Sequence, residues 1–568
     1  MNTDFPYDSK PPAKQNLNDY DHAYATFRWE DAEDEIGWDR AGRVNIAYSC
    51  IERHVLGGRG HRTALIYDNS SMRKCYSYKD IELLTNKFAN ALKDLGIKKG
   101  ERIALFMPPC PEFYISLLAV VKIGAIAVPL HCKYMKDSVT TFLADSEPVM
   151  VITTNTLRQR IADDEINSIR MVVTTDSYDA EYNWCSLVDN APSTPVTEWM
   201  EGQDPMLLLY TSGSTGNPKG VIHTHAGAPQ YFQTGRWVLD FRDEDVYWCT
   251  ADPGWITGIS YGVWAPLLNG VCIVVCKESP NAQNCYRLLK DNKVTIWYTT
   301  PSLLRNLMNA DCSAWEDFQP GTLRKIISVG EPLNPIINRW SMKKFNLTVH
   351  DSWWMTETGA LMIANFSCLP LKPGSIGKAF PGIYAAIIDE SGAELPPFAV
   401  GQLAIKSGWP AVMTGIWKDK EKYREYFRLP PWYLTGDLAY RDREGYIWFQ
   451  GRIDDVIKID SERVGPYEIE SKLVEHPAVD EAGVIGKPDP LHGEIIKAYI
   501  VLNSNYIWSD ELRGELCNFI EKKLGPRLVP REVEMCTSLP RTRSGKLMRR
   551  VLKSWELGLP PQSFVTTE

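Results

Sequence analysis

Ten consecutive residues, Thr211-Ser-Gly-Ser-Thr-Gly-Asn-Pro-Lys-Gly220, are of types suited to holding phosphate. Glycines let backbone N–H groups come close to an anion, the hydroxyls of Thr211, Ser212, Ser214 and Thr215 add donors, and Lys219 adds a positive charge. The apolar run Met206-Leu-Leu-Leu-Tyr210 leads straight into this stretch, so the loop is expected to follow a buried strand. It is not a Walker A loop, because the order GxxxxGK[ST] is absent. An ordinary flexible surface loop is the competing reading, but such loops rarely devote so many residues to phosphate chemistry.

Three other groups could do chemistry and have plainer explanations. His223-Thr-His225 could suggest a metal site, but two histidines without nearby Cys or acid partners are weak ligands, and packing or hydrogen bonding beside the loop is the expectation. The adjacent indoles Trp353 and Trp354 read first as core aromatics. Lys546 stands among Arg541, Arg543, Arg549 and Arg550, which together resemble a solvated basic tail.

The elements that must position these residues can be read from periodicity. Ser77-Tyr-Lys-Asp80 is a capping box for a helix whose apolar positions Ile81, Leu84, Phe88, Leu92 and Leu95 share one face, with Gly96 supplying the C-terminal cap. A further helix is predicted near Ile46–Val55, and a strand over Ala64–Asp68. Short β-branched runs follow at Arg102–Met107, Val149–Thr154, Met171–Thr175, Met206–Thr211, Val271–Val275, Thr295–Thr300 and Lys325–Val329, many separated by helical patterns. That alternation predicts parallel βαβ units in a layered domain. After about residue 380 the texture changes to short strands joined by Gly, Pro and Asp turns, at Ala385–Asp389, Gly401–Ser407, Tyr433–Tyr440 and Tyr446–Gln450, which predicts antiparallel structure. Gly451-Arg-Ile-Asp-Asp455 reads as a junction. The expected division is a large domain over 1–453 and a small α+β domain over 454–568.

Composition narrows the function classes. The chain has 568 residues, 44% hydrophobic, enough for a sizeable core. A net charge of −9 without a long Lys/Arg block argues against general nucleic-acid binding. The apolar run Ile115–Leu130 is broken by Lys122, Gly124 and Pro129 and falls short of a membrane span, so no membrane partner is expected. Met-Asn-Thr-Asp-Phe-Pro at the N-terminus has neither a basic nor an apolar region of a secretory signal. The 13 cysteines lack CxxC pairs; Cys249, Cys272, Cys276 and Cys285 read as packing residues, and the pattern suits the reducing cytoplasm.

More motifs follow the loop in order: Gly330-Glu-Pro332, Asp351-Ser-Trp-Trp-Met-Thr-Glu-Thr-Gly359, Tyr433-Leu-Thr-Gly-Asp437, Gly451-Arg-Ile-Asp-Asp455, Arg463, and Pro540-Arg-Thr-Arg-Ser-Gly-Lys546. With the loop, this set resembles the adenylate-forming superfamily of acyl-CoA synthetases, firefly-type luciferases and peptide-synthetase adenylation domains. The N-terminal part also resembles the shorter bacterial acetyl-CoA synthetases, so the resemblance covers nearly the whole chain.

The resemblance implies an α/β fold: a large multi-layer N-terminal adenylate-forming domain with parallel sheets and a small antiparallel barrel-like part, and a small mobile α+β C-terminal domain that alternates between two half-reactions. It implies a ligase that joins a small carboxylic acid, acetate, to CoA through an acyl-adenylate, with ATP and CoA as substrates and Mg²⁺ as cofactor. Thr211, Ser212, Gly213, Ser214, Thr215, Gly216 and Lys219 would hold the β- and γ-phosphates. Thr356 would touch the α-phosphate, and Glu357 would ligate Mg²⁺, a hard cation that prefers oxygen. Gly330, Glu331 and Pro332 would line the adenine pocket, with Asp351, Ser352, Trp353, Trp354 and Met355 beside the nucleotide. Asp437 would hold the ribose hydroxyls, with Arg452 and Arg463 near. Lys546 would be the catalytic lysine, stabilising charge at the α-phosphate and carboxylate; an acetyltransferase and deacetylase acting on it are implied partners. Asp454 matches the hinge. In acetyl-CoA synthetases the second Trp of the motif walls off the acyl pocket, so Trp354 would block chains beyond about three carbons, since one methylene shifts discrimination by ~1–3 kcal/mol. Trp255, Ile256, Thr257 and Val329 match the remaining pocket positions, with Ile256 where Val is common.

One stretch departs from the pattern. Acyl-CoA synthetases carry Ser/Thr-Gly-x-Arg/Lys after the hinge; here it reads Asp460-Ser461-Glu462-Arg463. Ser461 stands where a glycine lies against the pantetheine tunnel, and Asp460 adds a negative charge there. The alternatives to a complete acetate ligase are a ligase for propionate or another compact acid, and an adenylate-forming protein with an impaired thioester step. The region of the small domain that would contact CoA reads Glu521-Lys-Lys-Leu-Gly525.

Overall fold

Short Val/Ile/Leu runs between turn residues make strands buried on both faces, which is what parallel sheets covered by helices require. In the computed structural model, which describes residues 15–38, 42–162, 166–177, 180–212, 218–310, 321–459, 462–489, 492–542 and 546–558, these runs build two large sheets. One has eight strands, in the order Gly415–Ile416, Pro218–Thr224, Pro205–Ser212, Ile126–Pro129, Arg102–Phe106, Met150–Thr153, Met171–Thr174 and Tyr182–Asn183. Arg102–Phe106 pairs in parallel with both its neighbours, whereas Pro205–Ser212 and Pro218–Thr224 form an antiparallel hairpin. The other has nine strands. Five of them, Cys272–Val275, Val246–Cys249, Ile296–Thr299, Lys325–Ser328 and Val349–Trp353, lie side by side in parallel.

The capping box at Ser77 forms as expected: its side chain accepts from the Asp80 N–H, and Asp80 accepts from the Ser77 N–H at 2.8 Å. The helix it starts, Tyr78–Asp94, ends at Gly96 in the left-handed region (φ +78°). This helix and Pro111–Lys122 contribute to one core shared by strands of both sheets, among them Leu65, Ile103, Leu105 and Ile273. The predicted helix near Ile46–Val55 is present as Ile46–Cys50 and Glu52–His54.

Pro111–Lys122 is apolar around nearly its whole circumference because it is buried on every side. Lys122, read above as an interruption of the apolar run, is only 1% exposed. Its ammonium ion-pairs with buried Glu52 and donates to the Asn86 side chain, and the Thr197 hydroxyl completes Glu52 at 3.0 Å. Among the described residues, no helix is long and apolar enough to cross a membrane, and twelve cysteines are free, Cys272 and Cys285 buried in the core.

Beyond residue 380 the antiparallel part is a four-stranded sheet, Ala385–Ile388, Gly401–Lys406, Trp432–Arg441 and Ile447–Arg452. A short 3₁₀ turn, Ile453–Asp455, leads to a separate five-stranded sheet with helices Pro466–Leu473, Asp510–Leu524 and Arg549–Glu556 and its own apolar core. This smaller unit rests on the larger one through Tyr467 against Phe449, ring centroids 5.7 Å apart, and through Asn334 Nδ2 donating to Ser471 O at 3.2 Å. Arg549 ties its parts together. The guanidinium donates to Asp455 Oδ2 at 2.9 Å and to Glu470 Oε2 at 2.7 Å, joining the turn after Arg452 to the segment that carries Lys546.

Candidate active site

The hairpin delivers the loop. Thr211 pairs with Lys219 and Ser212 with Pro218, so the loop connects two strands whose register is fixed on both sides. Gly213, Ser214, Thr215 and Gly216 lie outside the described residues, as do Asp460 and Ser461. Lys219 is close to Glu357 (Nζ to Oε1, 3.9 Å), and Tyr426 stands between them. Lys219 Nζ donates to Tyr426 Oη at 2.7 Å, and Tyr426 Oη donates to Glu357 Oε1 at 2.9 Å. Burial pushes the Lys219 ammonium below its usual range, and Glu357 opposes that shift. Tyr426 has no counterpart among the residues expected from sequence.

Val349–Trp353 carries the next motif. Its first acid, Asp351, is buried, accepting from Ser328 Oγ at 2.7 Å and from the Ser352 N–H at 3.0 Å; burial pushes its carboxyl up to about 7. Trp353 Nε1 donates to Asp437 Oδ2 at 2.9 Å, and Arg452 donates to Asp437 Oδ1 at 2.7 Å. Each carboxylate oxygen has a further lone pair, so Asp437 can still accept from two hydroxyls. Burial raises the Asp437 carboxyl; Arg452, the Trp353 indole and the charge of Lys546 oppose it. Lys546 is exposed, and its carbonyl oxygen accepts from the Thr542 N–H at 2.8 Å. Gly436, at φ +74°, lets the chain turn there; a Cβ would lie 2.8 Å from Arg452 Nη2.

Gly330 sits at φ +90° just after Lys325–Ser328, and Glu331 Oε1 accepts from the Ser302 N–H at 3.0 Å. Pro332 and Thr356 are half-buried, and Met355 Sδ accepts from Tyr433 Oη at 3.6 Å. Asp454 is exposed in the turn Ile453–Asp455, and Arg463 lies in the strand Glu462–Val464.

Trp354 is 8% exposed. Its indole donates to Tyr298 Oη at 3.1 Å, Tyr298 Oη is in turn 3.0 Å from Ser352 Oγ, and the Tyr261 ring meets the indole edge-on at 5.1 Å. Trp354, Ile256 and Val329 share one apolar cluster, with Thr257 half-buried beside Ile256. Trp255 is not brought to it: the ring packs on His131 (5.3 Å) and Tyr134 (6.1 Å) in a different cluster. The turn before Ile256 is tight, since a Cβ at Gly258 would lie 2.2 Å from Asp252 O. His223 and His225 are buried, with burial pushing them down to about 4 and about 3; His225 Nδ1 accepts from the Ile46 N–H at 3.2 Å, a packing role.

The Glu357 carboxylate offers the oxygen that a hard cation such as Mg²⁺ prefers, and phosphate and water would complete the shell. Lys219 beside Glu357 and Arg452 beside Asp437 bring positive charge to the site.

Residues 52–417 match the family model for AMP-binding enzymes, and residues 468–546 match that for the AMP-binding enzyme C-terminal domain, which ends on Lys546. The acetyl-coenzyme A synthetase of Bacillus subtilis (strain 168) is 46% identical over 558 residues, spanning 97% of this chain and 98% of that protein. Among solved structures, an acyl-CoA synthetase of Brucella canis is 30% identical with a TM-score of 0.75, covering 95% of this chain and 99% of its own. An anthranilate CoA ligase, AuaEII, solved with anthranoyl-AMP, is 26% identical with a TM-score of 0.84, covering 93% and 99%.

Proposed function

The chain belongs to the AMP-binding enzyme family, and from that premise we propose that it is an AMP-forming acetate–CoA ligase, converting ATP, acetate and CoA to acetyl-CoA, AMP and diphosphate. The carboxylate oxygen of acetate attacks the α-phosphorus of ATP and diphosphate leaves; the CoA sulfur then attacks the acyl carbon and AMP leaves. Lys219 and the loop hold the β- and γ-phosphates, Asp437 takes the ribose hydroxyls, and Gly330, Glu331, Pro332 and Asp351 flank the base. Thr356 would touch the α-phosphate, and Glu357 would hold Mg²⁺, which when bound offsets phosphate charge. The Lys546 ammonium faces the α-phosphate and carboxylate, where charge builds up in the transition state.

The observation that carries the choice of acid is Trp354, whose indole is fixed by Tyr298 and Tyr261 in the core cluster that also holds Ile256 and Val329. A wall held from two sides at the position matching the acyl-pocket tryptophan of acetyl-CoA synthetases would confine the acid to a very short chain. The test is a panel of two- to four-carbon acids, following diphosphate release and thioester formation with and without CoA. Diphosphate release that favours butyrate over acetate would overturn the acid; diphosphate release without thioester would confine the activity to the first half-reaction.

Residues 454–568 form the small mobile domain, pivoting at Asp454 between adenylation and thioester formation. Fixing that φ with Asp454→Pro is expected to spare diphosphate exchange and stop thioester formation; loss of both together would count against the pivot. The buried free thiols support a cytoplasmic, reducing setting. The exposed Lys546 is open to an acetyltransferase and deacetylase, and peptide mass analysis of cell-derived protein that never finds it modified would exclude that control.

A further inference from the structure

Tyr426 ends the helix Lys420–Tyr426, a charged segment whose own composition points to solvent. Tertiary pairing brings it inward. Gly415–Ile416 adds to the edge of Pro218–Thr224, Trp417 N–H donates to Gly220 O at 2.7 Å, and Met413 N–H donates to Glu357 O at 3.0 Å. One stretch of chain is thus bonded to the backbone of both Lys219's strand and Glu357. The Tyr426 ring is stacked on buried Tyr433, centroids 5.7 Å apart and planes 6° from parallel, which fixes where the hydroxyl points.

That hydroxyl accepts from Lys219 at 2.7 Å and donates to Glu357 at 2.9 Å, while Lys219 and Glu357 remain 3.9 Å apart. The two opposite charges are bridged rather than in direct contact. In a site screened from water, a direct ion pair would be the tighter arrangement, and it would occupy the carboxylate that a cation must reach and the ammonium that phosphate must reach.

We propose that Tyr426 is a positioning residue for the triphosphate and its divalent cation, holding Glu357 and Lys219 aimed and apart. This rests on the reading that Glu357 ligates the cation. The bridge gives way when ligand arrives: Lys219 moves its bonds to phosphate oxygens, and Glu357 offers Oε1 to the metal while the phenol stays seated on Tyr433.

The experiment is calorimetric binding of ATP across a Mg²⁺ series, and of AMP, to full-length wild type, Tyr426→Phe and Glu357→Gln. Tyr426→Phe keeps the ring stack and removes one oxygen. It should weaken ATP binding at limiting Mg²⁺ by about ten-fold, the worth of a hydrogen bond to a charged group, and raise the half-saturating Mg²⁺ by a similar factor. AMP, which lacks the β- and γ-phosphates, should bind within about two-fold of wild type, because the lost bond does not face it. Wild-type ATP and Mg²⁺ behaviour in Tyr426→Phe would overturn the proposal. Equal weakening of ATP and AMP would overturn it too, by making the residue a general support of the fold. If Glu357→Gln keeps the wild-type Mg²⁺ dependence, the metal assignment falls and the proposal with it. If Glu357→Gln loses it and Tyr426→Phe does not, the assignment stands and the proposal alone falls.

Discussion

Replacing Trp354 by glycine should change which acid the enzyme prefers, and the surroundings of the indole set the size of the effect. The indole is 8% exposed, touches Tyr261 edge-on, and gives its one proton to Tyr298, which stays bonded to Ser352 after the indole is gone. No buried polar group is orphaned, so the stability loss is that of a cavity, about 3–5 kcal/mol, plus up to ~1 kcal/mol for the glycine backbone. The vacated volume admits a longer alkyl chain. Each methylene buried there is worth about 0.8 kcal/mol, or roughly four-fold in kcat/KM. Butyrate, with two more methylenes than acetate, should gain about 15-fold relative to acetate, and hexanoate, with four, about 200-fold. Diphosphate release with two- to six-carbon acids gives the slope of log kcat/KM against chain length. It should turn from falling in wild type to rising in the variant. A variant that folds, binds ATP and keeps the wild-type slope would refute the placement of Trp354 in the acyl wall.

Further outcomes follow from neighbouring groups. Tyr298→Phe leaves the buried Trp354 N–H without an acceptor, at about 1–3 kcal/mol, and should lower the melting temperature while blurring acetate–propionate discrimination; an unchanged Tm and ratio would show that the bond carries nothing. Lys546→Ala should lower diphosphate exchange by about 10²–10³ with ATP affinity retained. Near-normal exchange would remove Lys546 from the chemistry. Asp351, held up at about 7 by burial, binds its proton more readily folded than unfolded. Its contribution to stability is therefore full below pH ~4 and is lost as pH rises through about 7. Asp351→Asn keeps an acceptor for Ser328 and Ser352, so its Tm should match wild type near pH 4 and exceed it at pH 8; parallel curves across that range would contradict the assignment.

Much of the site was legible because single motifs carry it. Thr211–Gly220, Thr356-Glu357, Asp437 and Lys546 can each be found in the sequence, and the hairpin register, the Trp353–Asp437 bond and the Arg452–Asp437 pair join some of them in space. The capping box at Ser77 was legible for the same reason: local hydrogen bonds need only local residues. Tyr426 was not, because its helix has the charge of a surface helix and its inward turn depends on strand pairing with residues about two hundred positions earlier. Trp255 is extended (φ −114°, ψ 154°) where Ile256 begins a helix, and its ring packs on His131 and Tyr134, contacts that its place beside Ile256 in the sequence does not disclose. Lys122 read as an interruption because a lysine in an apolar run looks solvated, and only the fold reveals Glu52 and Asn86 waiting for it.

That buried pair also constrains how this sequence can change over time. Losing either partner alone strands an unpaired charge in the core at about 3–5 kcal/mol, a large part of a typical protein's total stability, whereas exchanging both for well-packed apolar residues is close to neutral. Lineages must therefore cross at positions 52 and 122 nearly together or not at all. Relatives should carry both charges or neither, and a well-folded relative with Lys at 122 facing an apolar side chain at 52 would break the rule. A contact that adds little net stability thus acts as a ratchet on descent, holding the first helices to the interior of the molecule.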